Sequence, residues 1–295
     1  MITKKPENID NYRTHCCFFE SARKAFAYVL SQYQSLSILV PAYIGYSSRE
    51  GSGVFDPIRE SGIKYSFYTM NRDLCIDMND LTKQLSKHEK GILLLIHYFG
   101  FKDPDYSAIM GLATKMNYMV VEDYAHALYT YLWSGDRNFD YAFFSLHKML
   151  PYSNGGMLIS KHSQQLENIK YFNLFEYDIY QIAQRRRENY QKLKDLIEPL
   201  CVAFHIHILR DTIGEAVPQS FPILLPDTKS RDRLYFGLNE AGFGVVSLYH
   251  ELISEIHEYY SDSHFLASRI LNLPVHQDAH VDELESMVRT MKQIL

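Results

Sequence analysis

Short apolar runs alternate with helical periods along the first half of this chain, and that alternation limits its fold more than any other feature. SLSILVP, IKYSFYTM, GILLLIHYF and YMVVEDY are runs of strand length, rich in β-branched and aromatic residues. Between them, SARKAFAYVLSQY, VFDPIRESG, MNDLTKQLSKH and PDYSAIMGLATKMN repeat their apolar residues at helical spacing. Strand and helix in alternation imply an α/β fold: a mostly parallel sheet sandwiched by helices. YAFFSLH and GGMLIS add two further strands around a polar turn, and IYQIAQRRRENYQKLKDLIEPL reads as a long helix ended by Pro199. Beyond it the pattern changes to PQSFPILLPD, SRDRLYFGLNEAGF, GVVSLYH and DELESMVRTMKQIL, a smaller C-terminal α+β domain. The expected division is a large domain over residues 1–200 and a small one over 201–295.

Composition removes several classes of function. A net charge of -5, with Lys and Arg scattered, leaves no footprint for nucleic acid. The polar MITKKPENIDNYR is followed by no apolar run, so it does not read as a signal peptide. The longest apolar run, ILLLIHYFGF, is too short for a bilayer and holds His97, so no membrane partner is expected. The four cysteines lack metal-ligand spacing, and adjacent Cys16 and Cys17 cannot easily bridge each other; reduced thiols in a cytoplasmic protein are the expectation. The 23 tyrosines point to large contact surfaces, in the core or between subunits.

Ligands on parallel sheets sit at the carboxyl ends of the strands, where His97, Asp123 and Lys148 all fall. Asp123 ends an apolar strand and Lys148 lies in a turn before Gly155-Gly156. A buried acid and a desolvated lysine are what pyridoxal 5'-phosphate requires. The lysine holds the aldehyde as a Schiff base, and the acid keeps the pyridine nitrogen protonated. Each member has an ordinary explanation too: Asp123 with Glu122 as turn caps, Lys148 as a solvated loop lysine, His126 as a satisfied core histidine. The set carries more than its members. Ser145, three residues before the lysine, could bind phosphate, and Ser21-Ala22-Arg23 open a helix whose free N–H groups favour an anion. His126 could reach the cofactor's phenolic oxygen, and Tyr46 or Tyr43 could stack on its ring. The run Arg185-Arg186-Arg187 could clamp an amino-acid carboxylate, although such a run on a helix is more often a solvated face.

These segments together resemble the DegT/DnrJ/EryC1/StrS family, the sugar aminotransferases of fold type I. ESARKA is similar to the family's phosphate-binding helix start, SILVPAYIGYS to its Pro-x-Tyr turn and LIHYFG to its His-x-x-Gly segment. VEDYAHA matches the acid motif, KMLPYSNGG the interval from lysine to double glycine, and ILNLPVHQD the closing Leu-Pro-x-His segment. The resemblance implies a pyridoxal-phosphate-dependent aminotransferase transferring an amino group, from glutamate, to a nucleotide-linked keto-sugar. A surface glycan or a secondary metabolite would be consistent destinations. By position it implies Lys148 and Asp123 as catalytic residues, with His126, Ser21, Ala22, Arg23, Ser145 and Tyr46 around the cofactor, in a homodimer. Three alternatives stand beside it: a sugar dehydratase, in which histidine replaces the lysine; a non-catalytic binding or scaffold relative; and a generic fold type I enzyme on amino acids, which would want the arginine clamp. The chain also departs from the family's pattern. About twenty residues precede the phosphate motif instead of some fifty, Phe143 stands where the family has serine, and NLFEYDIYQI lacks the family's asparagine segment.

Overall fold

A computed structural model describes residues 16–134, 138–161 and 174–295. The chain opens with β1 (Cys16–Phe19), α1 (Ala22–Gln32), β2 (Ser37–Pro41), α2 (Phe55–Ser61), β3 (Lys64–Tyr68), α3 (Met78–Leu85), β4 (Gly91–Ile96), α4 (Tyr106–Lys115) and β5 (Tyr118–Asp123). It continues through α5 (Leu128–Ser134), β6 (Tyr141–Ser145), β7 (Gly156–Ser160) and the long α6 (Ile179–Phe204). The remainder comprises β8 (His207–Ile208), β9 (Ser220–Leu224), α7 (Thr228–Glu240), α8 (Ser261–Arg269), β10 (Ile270–Pro274) and α9 (Val281–Ile294).

The large sheet has seven strands in the order β1-β7-β6-β5-β4-β2-β3. Strands β2 to β6 run parallel, whereas β7 is antiparallel to β6 and β1 is antiparallel to β7. β2 leads outward to β3, whereas its other neighbour β4 leads to β5, so the connections leave these two adjacent strands in opposite directions. That switch point opens a crevice at the strands' carboxyl ends. Apolar clusters fill both faces, one around Phe26, Val40, Ile92 and Phe143 and the other around Leu39, Leu93 and Val120. These side chains alternate along β2 and β4, as strand geometry requires. The second cluster runs on without a break into Phe221, Ile223 and Leu271 of a three-stranded antiparallel sheet, β10-β9-β8.

The helix expected to end at Pro199 runs on to Phe204 and closes at His205 in the left-handed region (φ 51). Pro199 lies on the exposed face, where water can bond the carbonyl left without its partner, while Ile197 and Leu200 are buried. The helix also crosses residue 200, so it links the two sheets. CCFF, too short to signal a strand by itself, forms β1. Its four residues are all buried and gain their strand character from pairing with β7. Among the described residues, no helix is long and apolar enough to cross a membrane.

Candidate active site

The carboxyl end of β5 carries two adjacent acids that point to opposite sides, and both are buried. Glu122 accepts from the Tyr106 hydroxyl at 2.6 Å and pairs with His97 Nε2 at 2.9 Å. Burial works to raise its pKa, but these partners outweigh burial and hold its carboxyl below the usual range. Asp123 faces the crevice and accepts a bond from the backbone N–H of Ala125 at 2.7 Å. Burial dominates there and pushes its pKa up to about 6, against the pull of that N–H and of the charges on Lys148 and His97.

Lys148 ends a single helical turn after β6 that is fixed on several sides. Leu146 donates to Gly155 O, Met149 and Leu150 donate to Leu146 O, and the Tyr129 hydroxyl donates to Met149 O at 2.5 Å. The lysine side chain is open to the crevice, and its amine lies 3.2 Å from His126 Nε2. Desolvation lowers the amine's pKa, opposed by the carboxylates of Asp123 and Glu50. Burial, and then the charge on Lys148, hold His126 well below its ordinary pKa, so it is neutral. With Lys148 charged and donating to Nε2, the imidazole proton rests on Nδ1, a buried atom with no hydrogen-bond partner among the described residues.

The glycine pair closes the opposite wall. Gly155 donates to Glu20 O at 2.9 Å with φ 135, and a Cβ on Gly156 would fall inside the backbone of Ser21. Only glycine lets the start of β7 approach so near, and this brings the start of α1 to the lysine turn. Ser21 caps α1, accepting from Lys24 N at 3.2 Å. Arg23 donates to Glu50 O at 2.7 Å and lies 3.6 Å from Asp56, tying the 45–54 loop to α1. Ser145 is buried, its hydroxyl 3.3 Å from His147 Nδ1.

One crevice of about 670 Å³ is lined by all eight residues expected from the sequence: Ser21, Ala22, Arg23, Tyr46, Asp123, His126, Ser145 and Lys148. The same crevice is lined by His97, Arg49, Glu50 and Tyr249. The other stacking candidate, Tyr43, is buried beside the crevice and does not line it. The arginine run does not reach it either. Arg185 pairs with Glu188 at 3.8 Å, Arg186 is buried against the carbonyls of Pro218 and Gln219, and Arg187 donates to Ala216 O. His97 lines the crevice from the end of β4, where the sequence places it beside Asp123 and Lys148, whereas Tyr249 carries no usable sequence signal, since it makes sense only beside elements distant in sequence.

The donor set fits pyridoxal phosphate. The start of an eleven-residue helix with Ser145 suits a phosphate, the desolvated amine of Lys148 suits an aldehyde, and the underpartnered Asp123 suits a basic ring nitrogen.

Residues 52–178 match the model of the DegT/DnrJ/EryC1/StrS aminotransferase family, a segment holding Asp123, His126 and Lys148. No curated protein sequence matches the chain. Among solved structures it is similar to an aminotransferase from Streptoalloteichus hindustanus, at 15% identity and a TM-score of 0.75, covering 95% of this chain and 85% of that one. A DegT DnrJ EryC1 StrS aminotransferase from Brucella abortus is 15% identical with a TM-score of 0.71 over the same shares. A GDP-4-keto-6-deoxymannose-3-dehydratase, solved with a trapped PLP-glutamate geminal diamine, is 14% identical with a TM-score of 0.73, covering 94% of this chain and 88% of that one. At such identities these likenesses establish the fold, the mostly parallel sheet of fold type I expected from the alternation of elements.

Proposed function

We propose that this chain, whose residues 52–178 match the model of the DegT/DnrJ/EryC1/StrS aminotransferase family, is a pyridoxal-phosphate-dependent member that transfers an amino group from glutamate to a nucleotide-linked keto-sugar. The observation that carries this reading is the convergence of Lys148, Asp123 and His126 on one crevice, with a helix start at its other wall. When bound, pyridoxal phosphate supplies an aldehyde to hold the amino group and a ring to accept the electron pair released at Cα.

The chain's own residues do the rest. Ser21, Ala22, Arg23 and Ser145 hold the phosphate, and Tyr46 borders the ring. Desolvation favours the neutral Lys148 amine, whose Nζ would hold the cofactor through its aldehyde and, when free of it, would take up and return a proton at the substrate. Asp123, brought to its ionised form by a cationic ring nitrogen, fixes charge at that end of the site. His126 stays neutral and keeps Nζ aimed through its Nε2. Residues 1–200 form the cofactor domain in this reading and 201–295 a smaller domain closing over the substrate, in a cytoplasmic homodimer.

A dehydratase is among the structural neighbours, but retention of Lys148 favours amino transfer. Lys148→Ala is expected to abolish both turnover and the covalent retention of pyridoxal phosphate after borohydride reduction. Undiminished product formation by that variant would sink the assignment.

A further inference from the structure

The C-terminal third of the chain sends a strap, residues 245–256, across the carboxyl edge of the large sheet. One end is fixed to the small sheet, where Val246 and Asn272 exchange backbone bonds at 3.1 and 2.7 Å. The other end is fixed to the loop after β2: Tyr46 donates to Glu251 O at 3.0 Å and Ile253 donates to Ile44 O at 3.1 Å. Between these anchors stands Tyr249, at φ 62. A bulky side chain is strained in that left-handed region and persists there only when its surroundings over-determine it.

The surroundings are aromatic. The Tyr249 ring stacks on Tyr43 at 5.4 Å and meets Tyr98, Phe99 and His126 edge-on at 5.2, 5.8 and 5.8 Å. The Tyr43 hydroxyl donates to Tyr249 O at 3.4 Å. Gly45 leaves the ring its room, since a Cβ there would come 2.9 Å from Tyr249. The ring lines the same crevice as Asp123 and Lys148, and among the described residues the hydrogen bond to Tyr249 falls on its backbone carbonyl and none on its hydroxyl. Burial, with the charge of Asp123 nearby, keeps the phenol protonated, so it is a donor throughout the working pH range. A donor held at a crevice floor by a strained backbone, without an acceptor, is positioned for a ligand's oxygen.

We propose that Tyr249 is a cofactor-binding residue, donating a hydrogen bond from its hydroxyl to the phenolic oxygen on the pyridoxal phosphate ring, on the side shared with His126. The proposal rests on the cofactor reading above and goes beyond it in giving the C-terminal strap a part in holding the cofactor.

The test is a visible-absorbance titration of the full chain with pyridoxal phosphate alone. Tyr249→Phe keeps the ring and the fold and removes only the donor. It is expected to weaken binding by about five- to tenfold, the scale of one hydrogen bond, and to shift the absorption maximum of the bound cofactor. Tyr249→Asn, which tolerates the left-handed backbone but lacks the ring, should bind at least as weakly. If wild type binds and Tyr249→Phe matches it in affinity and absorption maximum, the assignment of Tyr249 is wrong while the cofactor reading stands. A change confined to the KM for substrate also overturns it. If wild type binds no pyridoxal phosphate, both readings fall together.

Discussion

Glu122 and Asp123 are neighbours on one strand, equally deep, yet they sit in opposite kinds of surroundings. Glu122 looks into a finished network, where a histidine and a tyrosine supply donors to both carboxylate oxygens. Asp123 looks into an unfinished one, with a single backbone donor and its pKa raised to about 6. Buried polar groups are ordinarily satisfied, so the acid without its full set of partners marks where a ligand belongs. The satisfied acid beside it is scaffold. Depth and charge alone do not separate the two; the count of partners does.

Substitutions can break this contrast. The largest effect belongs to Asp123→Asn, which removes the charge facing the cofactor ring and should lower kcat by about a hundredfold or more. The same change should stabilise the protein without cofactor. Because the folded pKa of Asp123 lies above the unfolded value of 3.8, the folded state binds more protons between 3.8 and about 6. Stability is therefore lost as pH rises through that window, on the order of 2–3 kcal/mol above it. Urea unfolding of the cofactor-free proteins should find the variant ahead at pH 7 and level with wild type below pH 4. Glu122→Gln should show the reverse. It leaves His97 poorly matched and should cost about 1–3 kcal/mol of stability at pH 7, with little change in affinity for pyridoxal phosphate. Since the pKa of Glu122 is lowered on folding, its contribution is present above about pH 4.5 and fades as pH falls through the folded value. Tyr106→Phe removes one donor from Glu122 and should cost about 1 kcal/mol in the same assay. A loss of activity for Glu122→Gln as large as that for Asp123→Asn would erase the distinction between the two acids.

Much of the large sheet was legible because its strands are continuous apolar runs, which few other structures can accommodate. The lysine turn was legible because a lone lysine before two glycines is costly to place among strands, and the close approach of Gly156 to Ser21 is the physical reason for the pair. What stayed hidden depends on contacts between distant segments. CCFF is too short to signal a strand and becomes one only against β7. Arg186, in a run that resembles a solvated face, is buried because backbone carbonyls 32 and 33 residues away neutralise its cost. Glu122, readable as a turn cap, proves to be the anchor of His97. Tyr249 lies in a segment without periodicity, and its place in the crevice follows from backbone bonds to residues some two hundred positions earlier.

The most direct test of the central claim is the visible absorption of the purified chain after loading with pyridoxal phosphate and removal of the excess, recorded before and after glutamate. A yellow band that bleaches on adding glutamate is the expected result, with no such band in Lys148→Ala. Absence of the band from wild type, or its persistence unchanged in Lys148→Ala, would contradict the account.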